Sequence, residues 1–234
     1  MKHILVTGGA KGIGKAIVED LAKRGHKITA TYHSSKEAAE KLAAKYPNVA
    51  FRQVDLENRE AIQAFVADIK ASGEPVDVLV NNAGLYVGKS FEKMTAEEVL
   101  QQIDLNLTVP ALLIHGLLPV LKKSKAPLII NISSQAVHAR LTGEAMYTAV
   151  KTALSTLAFV LRAELNPQGV RLATIEPFGV NTYGIPEPSG MIKPEELAQT
   201  ISMAIELPDH LQLDNLGLSH INQPRPDYPD WIER

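Results

Sequence analysis

The chain has 234 residues, room for one α/β core that buries roughly 70% of the surface its unfolded form exposes. Lys and Arg number 24 and Asp and Glu 26, a formal charge of -2 with the signs interspersed, so no electrostatic footprint for nucleic acid or an anionic membrane is visible and the expected ligand is a small molecule. The absence of cysteine excludes disulfides, thiolate catalysis and cysteine-based zinc sites. With neither a secretory leader pattern nor an apolar run of the ~20 residues a membrane helix needs, the expected location is the cytoplasm.

In chain order, the pattern predicts a strand over His3 to Val6, a helix from Gly12 to Arg24 stopped by Gly25, and a strand from Lys27 to Tyr32. Helix Lys36 to Lys45, strand Val49 to Val54, helix Arg59 to Ala71 and strand Asp77 to Asn81 continue the alternation. A long helical region from Thr95 to Lys123, interrupted near Asn106 and Pro110, leads to strand Pro127 to Ser133, helix Met146 to Leu165 and strand Val170 to Ile175. Between Phe178 and Pro194 lie three prolines and three glycines, followed by helix Glu195 to Glu206 and a last strand over Gln212 to Ser219. Strands such as "VDVLVN" and "PLIINIS" lack polar alternation, which suits a parallel sheet covered on both faces. The expected fold is one doubly wound α/β domain over residues 1–222 with a mostly seven-stranded parallel sheet. The segment of about 178–194 is expected to be a substrate loop, because it follows the C-terminal end of a strand. The Pro-rich tail, 223–234, is expected to be disordered or docked through Trp231.

The first strand breaks into "TGGAKGIGKA", Thr7 to Ala16. Gly9 to Lys15 fits the triphosphate loop G-x-x-x-x-G-K, but that loop requires Ser or Thr after the lysine to hold magnesium, and the residue there is Ala16. A strand, a tight turn and a helix N-terminus in that order suit a dinucleotide pyrophosphate. The spacing departs from G-x-G-x-x-G because residue 17 is Ile, so the turn alone is a weak signal.

Other segments agree with it. Thr7-Gly8-Gly9-Ala10-Lys11-Gly12-Ile13-Gly14 resembles the T-G-x-x-x-G-x-G turn of the short-chain dehydrogenases/reductases, and the family's remaining motifs follow in order over roughly residues 1 to 200. Asp55-Leu56 falls at the end of the third strand, Asn81 to Gly84 ("NNAG") at the fourth, Asn106 in the long helix, Ser134 after the fifth strand, and Tyr147-x-x-x-Lys151 thirteen residues later. In isolation Tyr147 and Lys151 would read as an exposed helical pair; the ordered set makes them specific. The resemblance implies a Rossmann-type domain.

It also implies roles. Tyr147 is the acid/base group; Lys151, one turn on, contacts the nicotinamide ribose and favours the tyrosinate; Ser134 hydrogen-bonds the substrate oxygen; Asn106 helps hold a proton-relaying water. Bringing a tyrosine from a pKa of about 10 to neutrality takes roughly 3 units, or about 4 kcal/mol. Gly8, Gly12, Ile13 and Gly14 would line the pyrophosphate, Asp55 and Leu56 would flank the adenine, and Asn82, Ala83 and Gly84 would pass beneath the adenosine ribose. Pro177, Val180 and Thr182 would meet the nicotinamide, with Phe178 standing where the family has a glycine. Ser133 is expected to support the strand end and Asn81 to be structural.

The second strand ends in Thr31-Tyr32-His33-Ser34-Ser35-Lys36, without a carboxylate to hold a free ribose hydroxyl. With Lys11 in the turn, His33 and Ser34 make a plausible pocket for a 2'-phosphate, so NADP(H) is preferred over NAD(H). The seven histidines lack metal-ligand spacing and no metal is expected; His138, four residues after Ser134, reads as a loop histidine. No G-x-S-x-G elbow suggests a serine hydrolase.

The resulting expectation is an NADP(H)-dependent oxidoreductase acting on a carbonyl or alcohol, specified by the loop around Tyr183 to Met191. The alternatives are an epimerase or dehydratase, which would carry T-G-x-x-G-x-x-G and a longer C-terminal domain, and a non-catalytic dinucleotide sensor, which would show a broken Ser-Tyr-Lys set. The resemblance further implies a homodimer or homotetramer packed through Thr95 to Lys123 and Met146 to Leu165.

Overall fold

The structure, a computed structural model, describes residues 1–139, 142–186 and 190–222; the tail with Trp231 lies outside the described residues. Seven strands, β1 (His3–Val6), β2 (Lys27–Tyr32), β3 (Val49–Gln53), β4 (Val78–Asn81), β5 (Leu128–Ile132), β6 (Arg171–Phe178) and β7 (Asn215–Ser219), form one sheet in the order β3-β2-β1-β4-β5-β6-β7. Every pairing is parallel. The helices are α1 (Gly12–Lys23), α2 (Lys36–Lys45), α3 (Arg59–Ala71), α4 (Ala96–Ile103), α5 (Val109–Leu121), α6 (Ala145–Leu165) and α7 (Pro194–Glu206).

The strands are apolar on both faces, yet the period of two still sorts them. Ile4, Val6, Ile28 and Ile130 pack under Ile17 and Leu21 of α1 and Leu197 and Ile201 of α7. Leu5, Leu79, Ile129 and Leu172 pack on the other side with Phe65 of α3 and Leu113 and Leu117 of α5. Two cores of this kind require the doubly wound order, in which the chain reverses direction between β1 and β4. That reversal opens a crevice beyond the carboxyl ends of the strands, where ligands of such folds bind.

Three departures from the sequence pattern bear on the site. The interruption near Asn106 is a π-helical segment, Asp104–Thr108, so α4 runs into α5 without ending. The resulting 26-residue helix, Ala96–Leu121, is long and apolar enough by length and composition to cross a membrane, which corrects the expectation that no segment reaches that size. One face of it is buried, with Leu113, Ile114, Leu117 and Leu121 closed off against the sheet and α3, while Leu100 and Leu112 are exposed.

The sixth strand extends to Phe178, past the expected end at Ile175. A proline donates no ladder hydrogen bond, and here β5 pairing ends at Ile175 while Pro177 is opposite β7 only. Conversely β7 starts at Asn215, three residues later than expected, because the Gln212 side chain accepts from the Leu172 N–H (2.9 Å) ahead of the strand.

Candidate active site

The glycine turn is forced by close approach. Gly8 and Gly12 have φ of 67° and 50°, and a Cβ on Gly14 would collide with the Gly8 carbonyl. Threonines lock the turn to neighbouring strands: Thr31 Oγ1 accepts from the Gly8 N–H (3.2 Å), and Thr7 Oγ1 accepts from the N–H groups of Asn82 (3.0 Å) and Ala83 (2.9 Å). Asn82 Nδ2 donates back to the Thr7 carbonyl at 2.9 Å. Lys11, the N-cap residue of α1, provides no side-chain cap, leaving the first-turn N–H groups to an anion.

Along this turn runs a cavity of about 330 Å³, lined by Gly8, Lys11, Ile13 and Gly14 on one side, by His33, Asp55 and Leu56 at the ends of β2 and β3, and by Asn82, Ala83, Gly84 and Thr182. Gly12 belongs to an adjoining wall beside Thr182. Ser34 does not line the cavity; Thr31 and Tyr32, the last two residues of β2, do. His33 Nε2 lies 4.0 Å from Asp55 Oδ1, so the two expected contacts are neighbours.

A second cavity of about 440 Å³ shares Ile13, Asn82, Gly84 and Thr182 with the first, making one continuous cleft. It holds Asn106, Ser134, Tyr147 and Lys151 together with Pro177, Phe178 and Val180. Ser134, at the tip of β5, accepts from the Ala136 N–H (3.1 Å) and caps an unforeseen short 3-10 turn, Gln135–Val137. Lys151 is buried, donates through Nζ to the Ile132 carbonyl (2.9 Å), and lies 5.7 Å from the Tyr147 ring centroid. Burial lowers its pKa to about 8.

For Tyr147 the balance differs from the expected depression. Burial raises its pKa, a hydrogen bond with Ser134 opposes the rise, and the Glu144 charge adds to it. The reason is geometric: the ammonium of Lys151 is directed to the Ile132 carbonyl, so the phenol meets a hydroxyl and a carboxylate in this state. Asn106 is committed as well. Its Nδ2 donates to the carbonyls of Leu85 (2.8 Å) and Gln102 (3.0 Å), and its Oδ1 accepts from the Leu85 N–H (3.3 Å). Its side chain therefore pins the segment after β4 to the π-helical turn. Gly84 completes this contact, since a Cβ there would stand 2.7 Å from Asn106 Oδ1 and 3.5 Å from Lys151 Nζ.

Ser133 supports the site from beneath, bonding the Lys151 carbonyl (3.2 Å) and the Ser155 hydroxyl (2.9 Å). Ser155 donates to the buried Glu176 (3.0 Å), whose other oxygen pairs with His138 Nε2 (2.9 Å). Thus His138 joins a support network. Asn81 is structural, donating to Asn131 Oδ1 (2.8 Å). Tyr86 and Glu144 escaped the sequence reading, although Glu144 stands three residues before Tyr147, one helical turn away, where a side chain shares its face. The Tyr86 hydroxyl donates to Glu144 Oε1 (2.8 Å), and both line the second cavity.

Residues 2–187 match the family model of the short chain dehydrogenases. The chain belongs to the short-chain dehydrogenase family. This short-chain dehydrogenase is 31% identical over 239 residues to the serine 3-dehydrogenase of Agrobacterium fabrum, covering 94% of each chain. It is 28% identical over 236 residues to an NADP-dependent 3-hydroxy acid dehydrogenase of Salmonella typhi, covering 94% of this chain and 95% of the other. An alcohol dehydrogenase from the archaeon Thermococcus sibiricus, solved with 5-hydroxy-NADP, superposes with a TM-score of 0.88 at 28% identity over 97% of this chain and 100% of that one. The short-chain dehydrogenase described here is accordingly an oxidoreductase acting on CH–OH groups.

Proposed function

We propose that the enzyme interconverts an alcohol and its carbonyl compound with NADP(H), using Ser134, Tyr147, Lys151 and Asn106. The observation that carries this reading is that Ser134, Tyr147 and the buried Lys151 line one cavity continuous with the glycine turn, with Lys151 one helical turn from Tyr147. The glycine turn and uncapped helix end fit a pyrophosphate, and bound NADP(H) supplies the hydride in reduction or accepts it in oxidation.

Each residue then has a task. Tyr147 gives its hydroxyl proton to the substrate oxygen during reduction and takes a proton from the alcohol during oxidation. Ser134 holds the same oxygen and the phenol in line, which places the proton within hydrogen-bond reach. Lys151 stabilises the tyrosinate by its charge. Asn106 positions the Gly84–Leu85 segment, and with it one wall of the cleft. Lys11 reads the 2'-phosphate; it lines the cofactor cavity at the N-cap of α1, and two of the three relatives above are named for or were solved with NADP-type ligands.

The same reading includes self-association through the long helices, supported by apolar side chains left exposed on them: Leu100 on α4, Leu112 on α5, and Phe159 and Val160 on α6.

The test is Tyr147→Phe. Removing the general acid is expected to lower kcat by about 10²–10⁴-fold while NADPH, titrated by its fluorescence, binds as before. A variant that keeps full turnover refutes the assignment.

A further inference from the structure

We infer that Glu144 selects the substrate by charge, so that the enzyme prefers alcohols and carbonyl compounds carrying an ammonium group near the reacting carbon over those carrying a carboxylate. This rests on the hydride-transfer reading above and concerns only what the substrate bears beside its reacting carbon.

Glu144 is the N-cap residue of α6. A polar side chain there normally accepts from the first free N–H groups of the helix, yet this carboxylate makes no such bond. It lines the substrate cavity instead and accepts from the Tyr86 hydroxyl. The Tyr86 ring meets the Tyr147 ring edge-on, with centroids 5.0 Å apart and planes at 87°. The carboxylate is thereby fixed beside the catalytic phenol. Burial and the bond to Glu144 push the Tyr86 pKa up to about 12, so Tyr86 remains a donor at working pH and occupies one carboxylate oxygen. No other described side chain donates to that carboxylate or pairs with its charge.

Among the described residues lining this cavity, Lys151 is the one other charged group, and its ammonium is bonded to the Ile132 carbonyl. Leu85, Ala136, Phe178 and Met191 add apolar surface to the same cavity. A substrate carboxylate placed there meets a like charge, whereas an ammonium finds an opposite one. Both curated relatives above are named for substrates that carry a carboxylate, and serine carries an ammonium as well; Glu144 favours the second kind of group.

The experiment uses the full-length enzyme, NADP+ and three secondary alcohols alike except at one end: 4-amino-2-butanol, 1,3-butanediol and 3-hydroxybutyrate. Each alcohol loses a hydride to NADP+ and a proton to solvent, giving the ketone and NADPH, which is followed by absorbance at neutral pH. The expected order of kcat/KM is ammonium, then hydroxyl, then carboxylate, with about 10-fold per step. Glu144→Gln keeps an acceptor for Tyr86 but removes the charge, and is expected to cut the amine-to-acid ratio by about 10–100-fold. If that variant does not fold, competitive inhibition of the wild type by butylammonium against butyrate reads the same preference.

A wild type that favours the acid, shows no order, or oxidises none of the three overturns the inference, as does a Glu144→Gln ratio equal to wild type. The underlying reading fails separately: it falls if the protein does not bind NADPH, and it survives if NADPH binds and the alcohols react without regard to charge.

Discussion

Two lysines have opposite settings. Lys11 lines the first cavity at the α1 N-cap, and in the proposed function it meets the 2'-phosphate as a charge-assisted hydrogen bond. Lys11→Ala is expected to lower kcat/KM for NADPH by about 10-fold, the worth of one such bond, and to leave NADH nearly unchanged. An unaltered NADPH/NADH ratio in steady-state kinetics would remove the phosphate role. Lys151 is buried, and its pKa falls from 10.5 to about 8 through loss of solvent. The unfolded chain therefore binds the proton more tightly, so this group destabilises the fold fully below pH 8 and the penalty fades as pH rises towards 10.5. At neutral pH the shift corresponds to roughly 3 kcal/mol, offset in part by about 1 kcal/mol from the bond to Ile132. Lys151→Met is thus expected to raise the melting midpoint of the cofactor-free protein near pH 7 by about 2–6 °C, to lose that advantage by pH 10.5, and to be inactive. A midpoint below wild type at neutral pH contradicts the sign.

At the scale of elements, the π-helical turn Asp104–Thr108 does what an uninterrupted α-helix would not. It inserts a residue into the winding, a feature often found at functional sites, and directs Asn106 at the carbonyl of Leu85. The segment leaving β4 answers with Gly84, which brings its backbone against Asn106 and Lys151. Gly84→Ala is expected to push Asn106 aside, costing about 1–3 kcal/mol of stability as overpacking does, and to lower kcat more than it changes the NADPH dissociation constant. Denaturant midpoints together with single-turnover rates separate the two effects; a variant with wild-type kcat would mean that the contact has no catalytic consequence. The β6 extension works in the same way. By carrying Glu176 and Pro177 beyond β5, it sets Glu176 under Ser155 and His138 and points Phe178 into the cleft.

For the whole molecule, the proposed self-association would cover apolar side chains that are exposed on the long helices. Phe159, on α6, is 69% exposed and Leu100, on α4, is 59% exposed. Large apolar side chains left open on one face mark an interaction surface. Light scattering at micromolar concentration is expected to give a dimer or tetramer, and Phe159→Glu to shift it towards monomer by placing a charge in an apolar contact. A wild-type monomer would contradict the proposed assembly.

Much of this was legible in the chain itself. Alternating apolar runs and helical periods determined a doubly wound parallel sheet, because strands buried on both faces and connected by helices have few other ways to pack. Ordered motifs brought Ser134, Tyr147, Lys151 and the glycine turn to one crevice, since β-strand ends in such a sheet converge there. Tertiary structure decided what those motifs could not. The direction of the Lys151 ammonium and the raised Tyr147 pKa follow from burial and from the Ile132 carbonyl. Ser34 fell outside the cleft and Tyr32 inside it, because facing depends on where the strand ends. Glu144 and Tyr86, 58 residues apart, became a pair through the fold alone. Local pattern fixes which backbone forms; charge, facing and distance depend on partners remote in sequence, and those exist only after the chain has folded.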